Sequence, residues 1–337
     1  VSILPSLHAV VAGRNLSEAD AEAAMAIILD GASTPPQIAA FLTALRMKGE
    51  TAEELTGFAR AMRRFAQPFP TGLPADEPLL DTCGTGGDGP STFNISTLAA
   101  FVVAAAGVRV AKHGNRSISS QCGSADLLEA LGIRINLTPE EAARALRETG
   151  IAFLFAPSYH ATMRHVQSVS RELKMRTVFN LLGPLANPAG ASLQVLGTTT
   201  LHNAGLLAHA LRALGLDRGF VVYGKDGLDE VTTTTETVAF SIAGGQVSEQ
   251  ILSPEDFGLP RAALSDLAGG DALANRVIAR RILDGERGPR RDIVLANSAL
   301  ALFVAGKAKT LPEGVQLAAG LIDSGAASRK IAELAAY

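Results

Sequence analysis

Apolar residues recur every three or four positions through the first 70 residues. After Ser17, a run with Ala21, Ala24, Met25 and Ile28 on one face predicts a helix. Ser17 is placed to cap it, with Asp20 at the third helical position, and Gly31 closes it. Pro36 opens a second helix carrying Ile38, Phe41, Leu42 and Leu45, and a third runs from Thr51 to Phe65. Nothing here alternates in the manner of a strand. Pro68-Phe-Pro-Thr-Gly-Leu-Pro then reads as a linker. Beyond it, short apolar runs at Leu79–Asp81, Val108–Ala111, Ile151–Phe155, Leu193–Gly197 and Gly219–Tyr223 predict strands. Helical stretches lie among them at Asn94–Ala106, Ala125–Leu131, Pro139–Thr149 and Leu201–Leu214. This alternation predicts an α/β domain with a largely parallel sheet. From about residue 271 the pattern is mostly helical, with Asp292–Phe303 strongly apolar.

Composition narrows the class. The 337 residues are 47% hydrophobic and 19% charged, which excludes a disordered chain and leaves room for two domains. Thirty basic against 33 acidic residues give a net charge of −3. No basic excess exists to neutralise a nucleic-acid backbone. The longest apolar run, Leu98 to Val108, is too short to span a bilayer, so no membrane partner is expected. Two cysteines, Cys83 and Cys122, make neither a disulfide framework nor a zinc quartet, and fit a reduced, cytoplasmic protein. The N-terminus lacks a basic stretch followed by an apolar one, so no signal peptide is expected, and Val1 in place of Met implies a trimmed or incomplete start.

Four segments carry anion or metal chemistry. Asp81-Thr-Cys-Gly-Thr-Gly-Gly-Asp-Gly-Pro follows a strand and precedes a helix. Its glycines let backbone N–H groups approach phosphate oxygens, although it is neither a dinucleotide fingerprint nor a P-loop, and an ordinary flexible turn is the alternative. Asn94-Ile-Ser-Thr opens the next helix, whose N-terminus favours an anion. The segment from Lys112 to Asp126 is dense in donors: Lys112, His113, Asn115, Arg116, Ser117, Ser119, Ser120 and Ser124. Asp229-Glu230 offers two adjacent carboxylates of the kind Mg²⁺ takes together with substrate phosphates. A fifth segment, from Ser158-Tyr-His to Asn187-Pro, mixes aromatic, His and Arg side chains. It suits an aromatic acid, or equally a packing element. Kinase, phosphorylase and phosphoribosyl transfer all remain open on this chemistry.

Taken in order, Asp81–Asp88, Asn94–Thr97, Lys112–Asn115, Asn180–Pro188 and Asp229-Glu230 resemble the anthranilate phosphoribosyltransferases, over nearly the whole chain. The resemblance implies transfer of phosphoribosyl from 5-phosphoribosyl 1-pyrophosphate (PRPP) to anthranilate. It implies a small helical domain, residues 1–70 joined by about 165–190, and an α/β domain of residues 76–164 and 191–337 with a mostly parallel sheet. It implies an active site at the hinge and a homodimer through the helical domains. Carried over residue by residue, Gly84, Gly87, Asp88, Thr92, Asn94, Ile95, Ser96, Thr97, Lys112, His113, Gly114, Asn115, Ser120 and Ser124 would bind PRPP. Ser96, Asp229 and Glu230 would hold Mg²⁺, and Lys112 would stabilise the leaving group, with no covalent nucleophile. Gly84, Asn115, Tyr159, His160, Ser170, Arg171 and Pro184 would form the anthranilate side. There the chain departs from the pattern. Ser170 stands where the family usually has an Arg for the anthranilate carboxylate, Ala161 where Pro is expected, and Tyr159 where His is common. A pyrimidine nucleoside phosphorylase, a transferase with another aromatic acceptor, and a non-catalytic nucleic-acid-binding relative are the competing readings.

Overall fold

The computed structural model describes residues 2–87, 92–117 and 121–337. Four helices come first: α1 (Leu4–Val11), α2 (Glu18–Leu29), α3 (Pro35–Lys48) and α4 (Ala52–Phe65). Side-chain oxygens cap α2 and α4, where Ser17 and Thr51 accept from the backbone N–H of Asp20 and Glu54. Helices α2 and α4 meet closely at Gly57, where a Cβ would lie 2.2 Å from the Glu18 carbonyl oxygen.

The α/β part follows as β1 (Leu79–Gly84), α5 (Ile95–Ala105), β2 (Arg109–Gly114), α6 (Ser124–Ala130), α7 (Pro139–Thr149), β3 (Ile151–Phe155), α8 (Ala156–Tyr159), α9 (Arg164–Leu173), α10 (Phe179–Leu182), β4 (Leu193–Gly197), α11 (Leu201–Ala213), β5 (Arg218–Gly224), β6 (Thr237–Ala243) and β7 (Gln246–Leu252). Four helices complete it: α12 (Ala272–Leu283), α13 (Pro289–Val304), α14 (Leu311–Asp323) and α15 (Ala326–Ala335). The sheet order is β3-β2-β1-β4-β5-β6-β7. Strands β1 to β5 run parallel, while β6 and β7 are antiparallel. Successive strands extend to one side of β1 and then to the other. The order therefore reverses between β1 and β4, and a crevice opens there at the carboxyl ends of the strands.

The β6–β7 hairpin is absent from the sequence reading. Its signal was present: Gly244 and Gly245, at φ +57° and +74°, form the two-residue turn that joins tightly paired strands. Helix α1 was also missed, being short and lacking a side-chain cap. The strands β1, β2 and β5 run farther than their apolar cores suggest, into the glycines at their ends.

Two apolar cores flank the sheet. One joins α5, α13 and the C-terminal helices to one face. The other is built from α1 to α4, Val166 and Val169 of α9, and Leu181 and Leu182 of α10. It continues through α11 to Cys83, Leu196, Val221 and Ile242 on the sheet. Among the described residues, no helix is long and apolar enough to cross a membrane.

Gly57→Ala should lower stability by about 1–3 kcal/mol, because the added methyl has no room against α2 and overpacking outweighs the gain in helix propensity. Thermal unfolding of the variant checks this, and an unchanged or raised Tm would show that the helices part freely.

Candidate active site

The crevice between β1 and β4 holds a cavity of about 340 Å³. Its floor is laid by what is missing from the strand ends. A Cβ on Gly197, the last residue of β4, would stand 1.6 Å from the Asp229 carbonyl oxygen. One on Gly84, the last residue of β1, would stand 2.3 Å from the Asp229 Oδ2. The loop after β5 therefore settles directly on the sheet. Asn297 of α13 fixes it from below, accepting from the Val231 N–H and donating to the Val231 carbonyl, both at 2.9 Å.

Each carboxylate of the Asp229-Glu230 pair is aimed by a backbone donor. The Gly86 N–H donates to Asp229 Oδ2 at 2.8 Å, and the Ser96 N–H donates to Glu230 Oε1 at 3.1 Å. Ser96 lies in the first turn of α5, its amide on Glu230 and its hydroxyl on Lys112. The Gly86 and Ser96 amides are thus bonded to carboxylates here.

Lys112 reaches the same place from β2. It is 4% exposed, and its Nζ donates to the Thr82 carbonyl and, at 3.4 Å, to Ser96 Oγ. Asp81 lies beneath, fully buried, accepting from the His113 N–H at 3.3 Å and from Asn187 Nδ2 at 2.9 Å. Burial pushes its carboxyl up to about 6, against the pull of Lys112 and of those hydrogen bonds. Cys83, between them in β1, is pushed up by burial and by Asp81, which makes it a packing residue rather than a nucleophile.

The loop after β2 forms the second wall. The Asn115 carbonyl accepts from Ser124 Oγ and from the Ala125 N–H, both at 3.2 Å. Asp126 accepts from the Ser117 and Gly123 N–H groups at 3.1 and 2.8 Å. Arg116 is engaged by Asp126 and by a two-pronged contact with Glu129.

The third wall follows α9. That helix ends at Lys174, which adopts a left-handed φ of +49° and turns the chain back toward the site. Arg176 then crosses to the glycine turn, donating from both terminal nitrogens to the Gly86 carbonyl at 3.1 Å. Phe179, Asn180, Gly183 and Pro184 continue this wall.

Of the residues named from sequence, Gly84, Gly87, Thr92, Asn94, Ser96, Thr97, Lys112, His113, Gly114, Asn115, Ser124, Pro184, Asp229 and Glu230 line the cavity. Ile95, the first residue of α5, is buried and does not line it. Asp88 and Ser120 lie outside the described residues. Tyr159, His160, Ser170 and Arg171 do not line it. Tyr159 is interior, edge-on to Phe69 at 6.0 Å, while Arg171 points to solvent. Arg176 and Phe179 line it and were not singled out, their sequence signal being membership of the fifth segment, and Asn180, which opens the motif Asn180–Pro188, lines it without having been given a role.

The oxygen donors Ser96, Asp229 and Glu230 form a hard, incomplete ligand set. Among the described residues, no group of three or more His, Cys, Asp or Glu side chains could enclose a metal alone. That fits Mg²⁺, which takes one or two carboxylates and fills its shell with substrate phosphates and water.

Comparison with known proteins places this geometry. The profile described as glycosyl transferase family, helical bundle domain, matches residues 4–66, and that of the glycosyl transferase family a/b domain matches residues 76–328. The anthranilate phosphoribosyltransferase of Solibacter usitatus is 59% identical over 100% of this chain and 99% of its own. The solved anthranilate phosphoribosyltransferase of Thermus thermophilus is 44% identical, with a TM-score of 0.92 over 98% of each chain. That of Saccharomyces cerevisiae, in complex with PRPP and Mg, is 30% identical, with a TM-score of 0.90 over 98% of this chain and 96% of that one.

Two imidazoles meet beside the third wall, His113, which lines the cavity, and His160, which does not, with ring centroids 5.2 Å apart. His113 Nδ1 bonds the Gly183 carbonyl at 3.2 Å and is therefore the protonated nitrogen. Among the described residues the Nε2 atoms of both have no partner. Burial holds His113 down at about 3 and His160 at about 4, with His160 adding to the effect on His113. Both are neutral in the folded protein. Unfolded, each takes up a proton near its ordinary pKa, about 6.5. Stability from these groups is thus present above pH 6.5 and lost as pH falls toward 4. For His160 the loss amounts to about 2 kcal/mol by pH 5. Urea denaturation at pH 7 and pH 5 should show a smaller acid loss in His160→Gln than in the parent. An equal loss in both would mean that the His160 imidazole is charged when folded.

Proposed function

The chain belongs to the anthranilate phosphoribosyltransferase family, and we propose that Lys112, Ser96, Asp229 and Glu230 take the diphosphate end of the donor while the wall from Arg176 to Pro184 takes the acceptor. The reaction carries phosphoribosyl from PRPP to the amine of anthranilate and releases pyrophosphate, a step of tryptophan biosynthesis. The observation that carries the reading is the convergence, across the β1/β4 crevice, of a buried lysine, a helix N-terminus and an adjacent carboxylate pair.

Breaking the bond to C1 of the ribose leaves positive charge on the sugar and negative charge on the departing diphosphate. Lys112 is fixed in a low-dielectric site beside Ser96, where a fixed cation stabilises developing negative charge strongly. Mg²⁺, held by Ser96, Asp229 and Glu230, supplies further positive charge to the diphosphate when bound. Gly84 and Gly87, with the amides of Thr97 and of the loop after β2, let the donor approach the backbone closely. The aryl amine is neutral near pH 7 and needs placement rather than activation, which Asn115, Phe179 and Pro184 supply by position. No side chain of the cavity acts as a covalent nucleophile.

Residues 1–70 together with about 165–190 form the helical unit in this reading, and 76–164 with 191–337 the α/β unit. A homodimer through the helical unit is supported by the exposed apolar side chains Leu4, Val11 and Met47 on α1 and α3. Light scattering should give twice the chain mass at micromolar concentration, and a monomer mass would remove the dimer.

The activity is tested by following anthranilate fluorescence with PRPP, with and without Mg²⁺. Fluorescence should fall only with the metal present. Asp229→Asn should slow turnover by about 10²-fold or more, the scale of losing one fixed electrostatic contact to a transition state. Metal-independent cleavage of pyrimidine nucleosides by phosphate, without use of PRPP, would favour the phosphorylase instead.

A further inference from the structure

Three basic side chains line the cavity among the described residues: Lys112, Arg116 and Arg176. They are not equivalent. Lys112 is buried on the donor side, against Ser96. Arg116 already faces two carboxylates, Asp126 and Glu129, and lies over the Phe155 ring. Arg176 meets no carboxylate among the described residues. It is bonded to a single carbonyl oxygen, that of Gly86. A guanidinium has five N–H donors in one plane, so three remain after those two bonds. An arginine with spare donors and no counter-charge, facing a cavity, is a ready receptor for a carboxylate.

Its neighbours define the shape of what it would receive. Phe179 and Pro184, farther along the same wall, offer flat apolar surfaces to the cavity that Gly84 also lines. Arg171, the other cation of this segment, is exposed and outside the cavity, and Ser170 brings no charge. The turn at Lys174 lies between the two arginines, both of them exposed, and of the two only Arg176 lines the cavity.

We propose that Arg176 binds the carboxylate of the aromatic acceptor and so sets its specificity for an aryl acid. The proposal rests on the transferase reading above. Arg176 also bonds Gly86, within the donor's glycine turn, and hence ties the acceptor wall to the donor loop.

The test is steady-state kinetics of the full chain with PRPP, Mg²⁺ and anthranilate. R176Q should raise the KM for anthranilate at least tenfold, with the KM for PRPP within about twofold of the parent. R176K should fall between, since an ammonium restores the charge without the planar fork. Equilibrium binding of PRPP to R176Q reports that the variant is folded. An unchanged anthranilate KM in R176Q overturns the proposal. So does an equal rise in the PRPP KM, which would make Arg176 a support of the donor turn alone, or a rise in anthranilate KM in R171Q with none in R176Q. A parent protein that binds PRPP yet never consumes anthranilate would sink the transferase reading itself, a result seen before any variant is made.

Discussion

A methyl group on Gly197 would stand 1.6 Å from the Asp229 carbonyl oxygen, and one on Gly84 would stand 2.3 Å from the Asp229 carboxylate. Both glycines end strands at the point where the sheet changes direction. Only bare backbone there lets the loop after β5 lie against the sheet. Once it does, the Gly86 and Ser96 amides can reach Asp229 and Glu230, and Asn297 can grip Val231 from the other side. The carboxylate pair, the helix N-terminus and the glycine turn are therefore one construction. Moving any of them by the width of a methyl group would disturb the rest.

The same construction explains how so much charge is tolerated in a buried place. Lys112 and Asp81 are each almost wholly enclosed, which is unfavourable for either alone. Asp81 is satisfied by Asn187 and by the His113 amide, and Lys112 by a carbonyl and a hydroxyl. The Gly86 and Ser96 amides are meanwhile taken by the Asp229 and Glu230 carboxylates.

Much of this was readable in the chain. Glycine runs after short apolar segments, a donor-rich loop and an Asp-Glu pair are local signals, and the structure brings all three to one cavity. The hairpin of β6 and β7 escaped because β7 is largely exposed and its apolar positions are few. The acceptor side was harder for a different reason. Tyr159, His160, Ser170 and Arg171 are close in sequence to the wall, but whether a side chain faces the cavity depends on how α9 packs and where it stops. A single left-handed residue, Lys174, ends the helix between Arg171, which stays outside the cavity, and Arg176, which lines it. No spacing pattern encodes that choice, since lysine is not a usual residue for that conformation.

The second core has a temporal consequence. Its members include Phe41 and Phe58 near the N-terminus, Val166 and Leu182 in the middle, and Leu207, Val221 and Ile242 beyond them. A growing polypeptide releases its N-terminal helices long before the residues that cover them have been synthesised. Helices α4 and α3 find α2 and α1 as soon as they are made, but the rest of their apolar surface waits for α11 and α9, made more than a hundred residues later, so the first part of the chain to be born is sealed late.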